Sequence, residues 1–321
     1  MKERDLRIDV LKGIGILCVV WGHACRLLGH EIYIFHMPLF FFLSGMFFRD
    51  RWNFIPKRFL SLIVPYAFYT LAFSLLFHLQ GGAWERPLHR LSIWFPSAVV
   101  GPSWFLIALF NISVVYYLLN RVLKHDLWLL AASFAIGLFF YYYKVELPFD
   151  LRQSFYSLPF FALGRFMKGR GMTDTGMDWH VLVAAGLVLI ATELYCRLEN
   201  FRFDILCQYL PPNAFWFYGG AAAAILLLLN VKYFSRRTLV NRILSSYGRH
   251  SLAIMALHMP YMAFLRNYIR RLHLADSASA NVALSNSIAF VVLAVASYLL
   301  AVLIDNIVRL SKQKLTTVFS H

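Results

Sequence analysis

Three histidines stand inside long apolar runs of this chain: His23 in GILCVVWGHA, His36 in FHMPLFFFLSG and His258 in SLAIMALHMP. Imidazole gains and loses a proton near neutral pH, so each is a candidate base, relay or ligand. An ionisable group in such a run is costly and by default marks a site or a pathway. The plainer alternative is a hydrogen bond to a neighbouring helix, worth only about 1 kcal/mol. A haem reading asks for facing imidazoles and finds His23 and His36, but not the several ligand pairs such proteins carry. Lys12 precedes His23 by eleven residues. Eleven residues are three helical turns, which puts cation and imidazole on one face about 16 Å apart. That spacing describes a stripe running from an anion-binding rim to a deep base. It is equally met by Lys12 pairing with Asp9, three residues earlier, and reaching for the interface.

The elements that position these residues are read from composition and blocks. Of 321 residues, 60% are apolar and 17% aromatic, gathered in long runs rather than alternating faces. This composition excludes an ordinary soluble domain and predicts an all-α, polytopic membrane protein forming one domain over 1–321. Lipid admits only helices or closed barrels, and a helix needs about 20 apolar residues to cross. Punctuation by charge, Pro and Gly predicts ten transmembrane helices at 8–29, 32–48, 57–79, 101–122, 127–143, 151–168, 179–198, 213–232, 248–270 and 281–310. The net charge of +15 is then a topology signal rather than a sign of a nucleic-acid partner. With both termini cytoplasmic, about two thirds of the 31 Lys and Arg fall on the inner side.

The charged start MKERDLRIDVLK is interrupted by Asp9 and Lys12 and lacks a clean cleavage site, so a signal peptide is not expected. Cys18, Cys25, Cys196 and Cys207 fit no metal spacing, and no metal is expected. A disulfide between Cys196 and Cys207 is open if their loop faces an oxidising compartment. On the ten-helix topology His23 lies roughly 22 Å from the inner end of the first helix, in the outer half of the membrane. His36 falls near the outer end of the returning helix, and His258 near the middle of the ninth.

The run DVLKGIGILCVVWGH, Asp9 to His23, resembles the opening of the acyltransferase 3 family of integral membrane acyltransferases. The likeness continues in family order through FHMPLFFFLSG, KRFLSLIVPY, PSWFLIALF, LPFFALGR and SYGRHSLAIMALHMP, over nearly the whole chain. It is closest to the fucose 4-O-acetylase-like group. The common family form has Arg where this chain has Lys12, which keeps the charge but not the planar two-pronged grip on phosphate. An appended esterase-like domain, carried by some relatives, is not expected.

The resemblance implies a membrane O-acyltransferase moving an acyl group, usually acetyl, from cytoplasmic acyl-CoA to a hydroxyl of a glycan or lipid-linked sugar. It places such an enzyme in a bacterial cytoplasmic membrane, at work on cell-envelope polysaccharide. Acetyl-CoA is thus the expected donor, with membrane lipids as surroundings. The donor's anionic end suits Lys12, Lys57 and Arg58 at the inner rim, with Trp104 beside it. Imidazole suits removal of the hydroxyl proton, and His23 is the expected base, with His36 binding substrate or opposing its protonation. Arg152 and His258 are the candidate acceptor contacts, with surface solvation the plainer role for Arg152. Gly45 backbone and the Trp104 indole are candidates for stabilising the oxyanion. Ser44 and Gly45 also read as a tight helix end, Pro65 and Tyr66 as a kink, and Trp104 as an interfacial aromatic. The rival is a transporter or exporter of a glycan or glycolipid, which has no need of a base at the end of a coenzyme-length stripe.

Overall fold

A computed structural model describes residues 5–24, 29–79, 104–145, 147–173, 176–201, 203–230, 238–258, 289–304 and 306. The described chain forms two compact units, Met1–Gly29 with Phe234–His321, and His30–Tyr233. Among the described residues every extended element is a helix, and the one β-bridge joins Asp204 to Tyr209.

The first unit contains α1 (Leu6–Ala24), which runs unbroken through both Lys12 and His23. Further along the chain the unit adds a helix that block-reading missed. Thr238 accepts a hydrogen bond from the Asn241 amide and so starts α10 (Leu239–Arg249). Its composition is too polar to register as a span. Its faces are inverted relative to a soluble amphipathic helix: Asn241, Ser245 and Gly248 are buried, while Leu239, Val240 and Ile243 face outward. The small inner stripe lets backbones touch. A methyl group on Gly13 of α1 would overlap the Leu244 carbonyl, and one on Gly248 would overlap the Asp9 carbonyl. Close approach of this kind, by way of small residues, is how helices associate when apolar surface alone discriminates nothing. Residues 251–258 are helical again as α11, and α12 (Ala289–Ile304) sends Tyr298 to stack on Tyr247 and to share a 2.7 Å hydrogen bond with Ser246.

The second unit repeats the device. Among the described residues its helices are α2 (Gly29–Met46), α3 (Phe54–Arg58), α4 (Val64–Leu79), α5 (Trp104–Leu123), α6 (Asp126–Tyr142), α7 (Leu151–Gly169), α8 (Trp179–Leu198) and α9 (Ala214–Leu229). Gly45 of α2 and Gly164 of α7 meet reciprocally, each without room for a Cβ against the carbonyls of Phe161 and Phe42. Gly45 is the penultimate residue of α2, at the tight helix end that its sequence resembles, where the Phe48 amide closes a turn on its carbonyl at 3.0 Å, and its missing side chain also serves the helix contact. The irregularity expected at Pro65 takes the form of a π-turn over Phe59–Ile63. Pro65 has no N–H for the carbonyl four residues back, and the wider turn before it relieves the clash of its ring.

Between these helices Tyr116, Tyr156, Phe41, Phe160, Phe161 and Phe217 form a buried aromatic core. Two phenols in and beside it are bonded internally: Tyr156 donates to the Ile205 carbonyl at 2.6 Å, and Tyr218 to the Tyr156 carbonyl at 2.8 Å. The periphery is the reverse of a soluble protein. Along α8, Val181, Val183, Leu187, Ile190, Leu194 and Leu198 are exposed, and Ala185, Thr192 and Cys196 are buried. Among the described residues two helices, Trp104–Leu123 and Trp179–Leu198, are long and apolar enough to cross a membrane. Cys18, Cys196 and Cys207 are thiols, so the Cys196–Cys207 disulfide is absent. The span expected over 248–270 is described only to residue 258, and that over 281–310 from residue 289.

Candidate active site

His23 sits one residue from the end of α1, half-buried. Within its unit the imidazole beside it is His258, with ring centroids 5.2 Å apart and planes inclined by 40°. His258 is fully buried, and its Nδ1 lies 3.1 Å from the Ile254 carbonyl. A carbonyl can only accept, so Nδ1 carries the proton and Nε2 of the neutral ring is an acceptor. One turn of helix thereby sets the tautomer of His258. Because α1 is continuous, Lys12 and His23 do share a face, about 16 Å apart. The unit thus joins a cation, a candidate base and a second imidazole of defined tautomer.

The remaining candidates lie in the second unit. His36 is buried in α2, its Nδ1 2.8 Å from the Ile32 carbonyl and its ring edge-on to Tyr33 at 4.8 Å. By the same argument its Nδ1 donates. Lys57 is exposed on α3. Arg58 is committed: it donates to Ser44 Oγ at 3.2 Å and lies over the Phe54 ring at 5.3 Å, fastening α3 to α2. Trp104 opens α5 and is 4% exposed, packed edge-on to Phe105, which removes the lipid-belt reading. Arg152 is 5% exposed rather than solvated. It donates to Gln208 Oε1 and to the Phe140 carbonyl at 3.4 Å, so it ties α7 to the turn over 204–209. Among the described residues no group of three His, Cys, Asp or Glu could hold a metal ion.

Spacing along α1 showed the Lys12–His23 stripe, but nothing local to α1 pointed to His258, which is 235 positions away. Sequence reading also passed over a polar pocket lined by Asp50, Arg51, Trp52, Asn53 and Arg121. Arg51 and Arg121 had registered only as charges that orient loops. The single signal was a Trp set among RDRWN.

The described residues are helical, with aliphatic side chains facing outward along α8 and two imidazoles in contact between apolar helices, which is the arrangement of a membrane-embedded protein. The acyltransferase-domain model of the acyltransferase 3 family matches residues 5–306, and the chain belongs to that membrane-embedded family. Among curated proteins it is similar to Nodulation protein NolL of Mesorhizobium japonicum, 28% identical over 220 residues that cover 61% of this chain and 56% of the relative. Nodulation protein NolL of Sinorhizobium fredii is 30% identical over 189 residues, covering 50% of this chain and 48% of the relative. The chain spans about half the length of these curated relatives. No solved structure matches it.

Proposed function

We propose that this acyltransferase is a multi-pass membrane O-acetyltransferase. It moves an acetyl group from acyl-CoA to a hydroxyl of a glycan or lipid-linked sugar, in a bacterial cytoplasmic membrane with both termini on the cytoplasmic side. The observation that carries the reading is the pairing of His23 with His258 at the far end of the Lys12 stripe.

A sugar hydroxyl attacks a thioester only as its proton leaves. In the proposed step His23 takes that proton while the hydroxyl oxygen bonds to the thioester carbon. The C–S bond then breaks, and the proton passes to the departing thiolate. A placed imidazole contributes about 10²–10⁴-fold to such a step. His258 stands beside His23, with Nδ1 bonded to the Ile254 carbonyl and Nε2 left as an acceptor. In this reading His258 takes the tuning role that the sequence suggested for His36, while also bordering the acceptor. His36 and Arg152 remain acceptor-side candidates, and Lys12, Lys57 and Trp104 donor-side ones. The distance from the Lys12 end of α1 to His23 is comparable with the reach of a pantetheine arm, roughly 20 Å by bond counting.

Transfer of radiolabel from acetyl-CoA in inside-out vesicles tests the reading. Label is expected on glycan or lipid-linked sugar with the parent chain and not with His23→Ala. Folded protein that neither binds acetyl-CoA nor moves label, with His23→Ala altering only export of glycan, would replace this reading with the transporter.

A further inference from the structure

Asp50, Arg51, Trp52, Asn53 and Arg121, where the connection from α2 to α3 meets the last turn of α5, line a pocket of about 520 Å³. The lining contains no aliphatic side chain. Its frame is held firmly. Asp50 accepts from Asn120 Nδ2 at 3.0 Å and pairs with Arg121 at 3.1 Å. Arg121 lies over the Tyr117 ring at 4.8 Å, Tyr117 stacks on Phe54 at 5.5 Å, and Phe54 packs edge-on against Phe48 at 5.0 Å. The turn itself closes through the Phe54 amide and the Arg51 carbonyl at 3.0 Å. Between these fastened ends Trp52 is 85% exposed, and Arg51 beside it is exposed as well.

A fixed turn whose exposed indole shares one pocket with two arginines presents three kinds of contact at once. The indole offers a flat face for stacking a heteroaromatic base. Arginine offers planar, two-pronged donation to phosphate oxygens, and half of the Arg121 side chain stays open for it beyond the Asp50 bond. The Asn53 amide offers one acceptor and two donors for a base edge. A lipid phosphate would use the guanidinium groups and leave the indole idle. A neutral sugar would use the indole and leave the charges idle. A nucleotide uses all three, and the volume lies in the range of small-molecule sites. Arg58, the candidate phosphate contact from the sequence, is half-buried against Ser44 and Phe54, whereas Arg51 is exposed and Arg121, though paired with Asp50 and Tyr117, keeps half of its side chain open.

We infer that this pocket holds the adenine nucleotide end of the acyl-CoA donor. Trp52 stacks on adenine, Arg51 and Arg121 bind the phosphates, and Asn53 reads the base edge. The inference rests on the acyl-CoA reading above and adds to it a nucleotide subsite carried by the α2–α3 connection.

The test uses the full chain in phosphatidylcholine vesicles with two donors, acetyl-CoA and acetyl-pantetheine, which carries the same thioester but no nucleotide. Trp52→Ala and Arg51→Ala are expected to raise KM for acetyl-CoA about tenfold each, the effect of losing one stacking or charge contact. Both should leave kcat/KM for acetyl-pantetheine unchanged, which also shows that the variants fold. Radiolabelled adenosine 3′,5′-bisphosphate should bind the parent and not Trp52→Ala, with Trp52→Phe recovering part of the binding. An active parent whose acetyl-CoA KM and nucleotide binding ignore Trp52→Ala overturns the subsite and leaves the acyl-CoA reading intact. Equal loss with both donors also overturns it, making Trp52 an interfacial anchor. A parent that uses neither donor and binds no nucleotide overturns the acyl-CoA reading and the subsite with it.

Discussion

The His23 ring lies 5.2 Å from that of His258, whose own proton is assigned to Nδ1 by the Ile254 carbonyl 3.1 Å away. In the proposed reaction the pair divides the labour of a base. One imidazole is half-buried at the end of α1, and the other is fully buried with a defined acceptor nitrogen. Substitution separates the two roles. His23→Ala is expected to lower kcat by about 10²–10⁴-fold with little change in protein level, as loss of a general base does. His258→Gln keeps an acceptor near the position of Nε2 and should stay within about tenfold of the parent, whereas His258→Ala should lose about 100-fold. Equal activity of the Gln and Ala variants would show that the acceptor nitrogen has no part.

A base must be unprotonated to work, so the rate should fall as pH falls through the imidazole range, about pH 8 to 5. Measured with acetyl-pantetheine or acetyl-CoA, the acidic limb is expected in the parent and absent from the residual activity of His23→Ala. A flat parent profile across that range would remove His23 from the chemistry.

The crossings of α1 with α10 and of α2 with α7 depend on absent methyl groups. Gly13→Ala, Gly248→Ala, Gly45→Ala and Gly164→Ala each drive a Cβ into a backbone carbonyl, which cannot rotate away. Each should cost about 1–3 kcal/mol or more and lower the melting temperature in detergent. Gly186 is the internal control: a Cβ there meets nothing within 4 Å. Gly186→Ala, inside α8, should be neutral or stabilise by up to about 1 kcal/mol. Similar melting of all five variants would refute the crossing argument.

Lys57 and Arg58 are neighbours with different duties. Lys57→Ala should raise KM for acetyl-CoA with melting unchanged, since that side chain is exposed. Arg58→Ala removes the hydrogen bond to Ser44 and the contact over Phe54, and should lower the melting temperature. A purely kinetic effect of Arg58→Ala would place it with the donor after all.

Arg152 invites the same separation. Its guanidinium is buried against Gln208 and the Phe140 carbonyl. Removing it takes the donor from two part-buried acceptors and leaves a gap where a buried side chain stood, so Arg152→Ala should melt earlier whatever the acceptor, by about 1–3 kcal/mol. Unchanged melting with a raised acceptor KM would make it a substrate contact instead.

Much of this was legible along the chain because helix periodicity is a local property. Apolar blocks placed most of the described helices within a few residues, and the eleven-residue spacing put Lys12 and His23 on one stripe. α10 was illegible for a physical reason. Its buried face is Asn241, Ser245 and Gly248 and its outward face is aliphatic, so a rule that seeks apolar blocks sees only a basic loop. Four of the blocks that carry the family resemblance contain Gly13, Gly45, Gly164 and Gly248, and the structure shows them to be two helix crossings. Arg58 and Arg152 looked like rim charges because a formal charge says nothing about burial.

What the sequence determined by itself is therefore one-dimensional: membrane-type helices, the spacing of cation and imidazole on α1, and the order of the family blocks. Only the tertiary structure decided that His258 faces His23, that α10 lies on α1, that Arg58 serves Ser44 and that Trp52 stands open in a pocket it shares with Arg51 and Arg121. The reason is that hydrogen bonding within a helix depends on neighbours three or four residues away, and any reader of the chain can count them. Pairing between helices hundreds of residues apart depends on close backbone contact at small residues. In a chain that is apolar throughout, greasiness offers many equivalent partners and selects none.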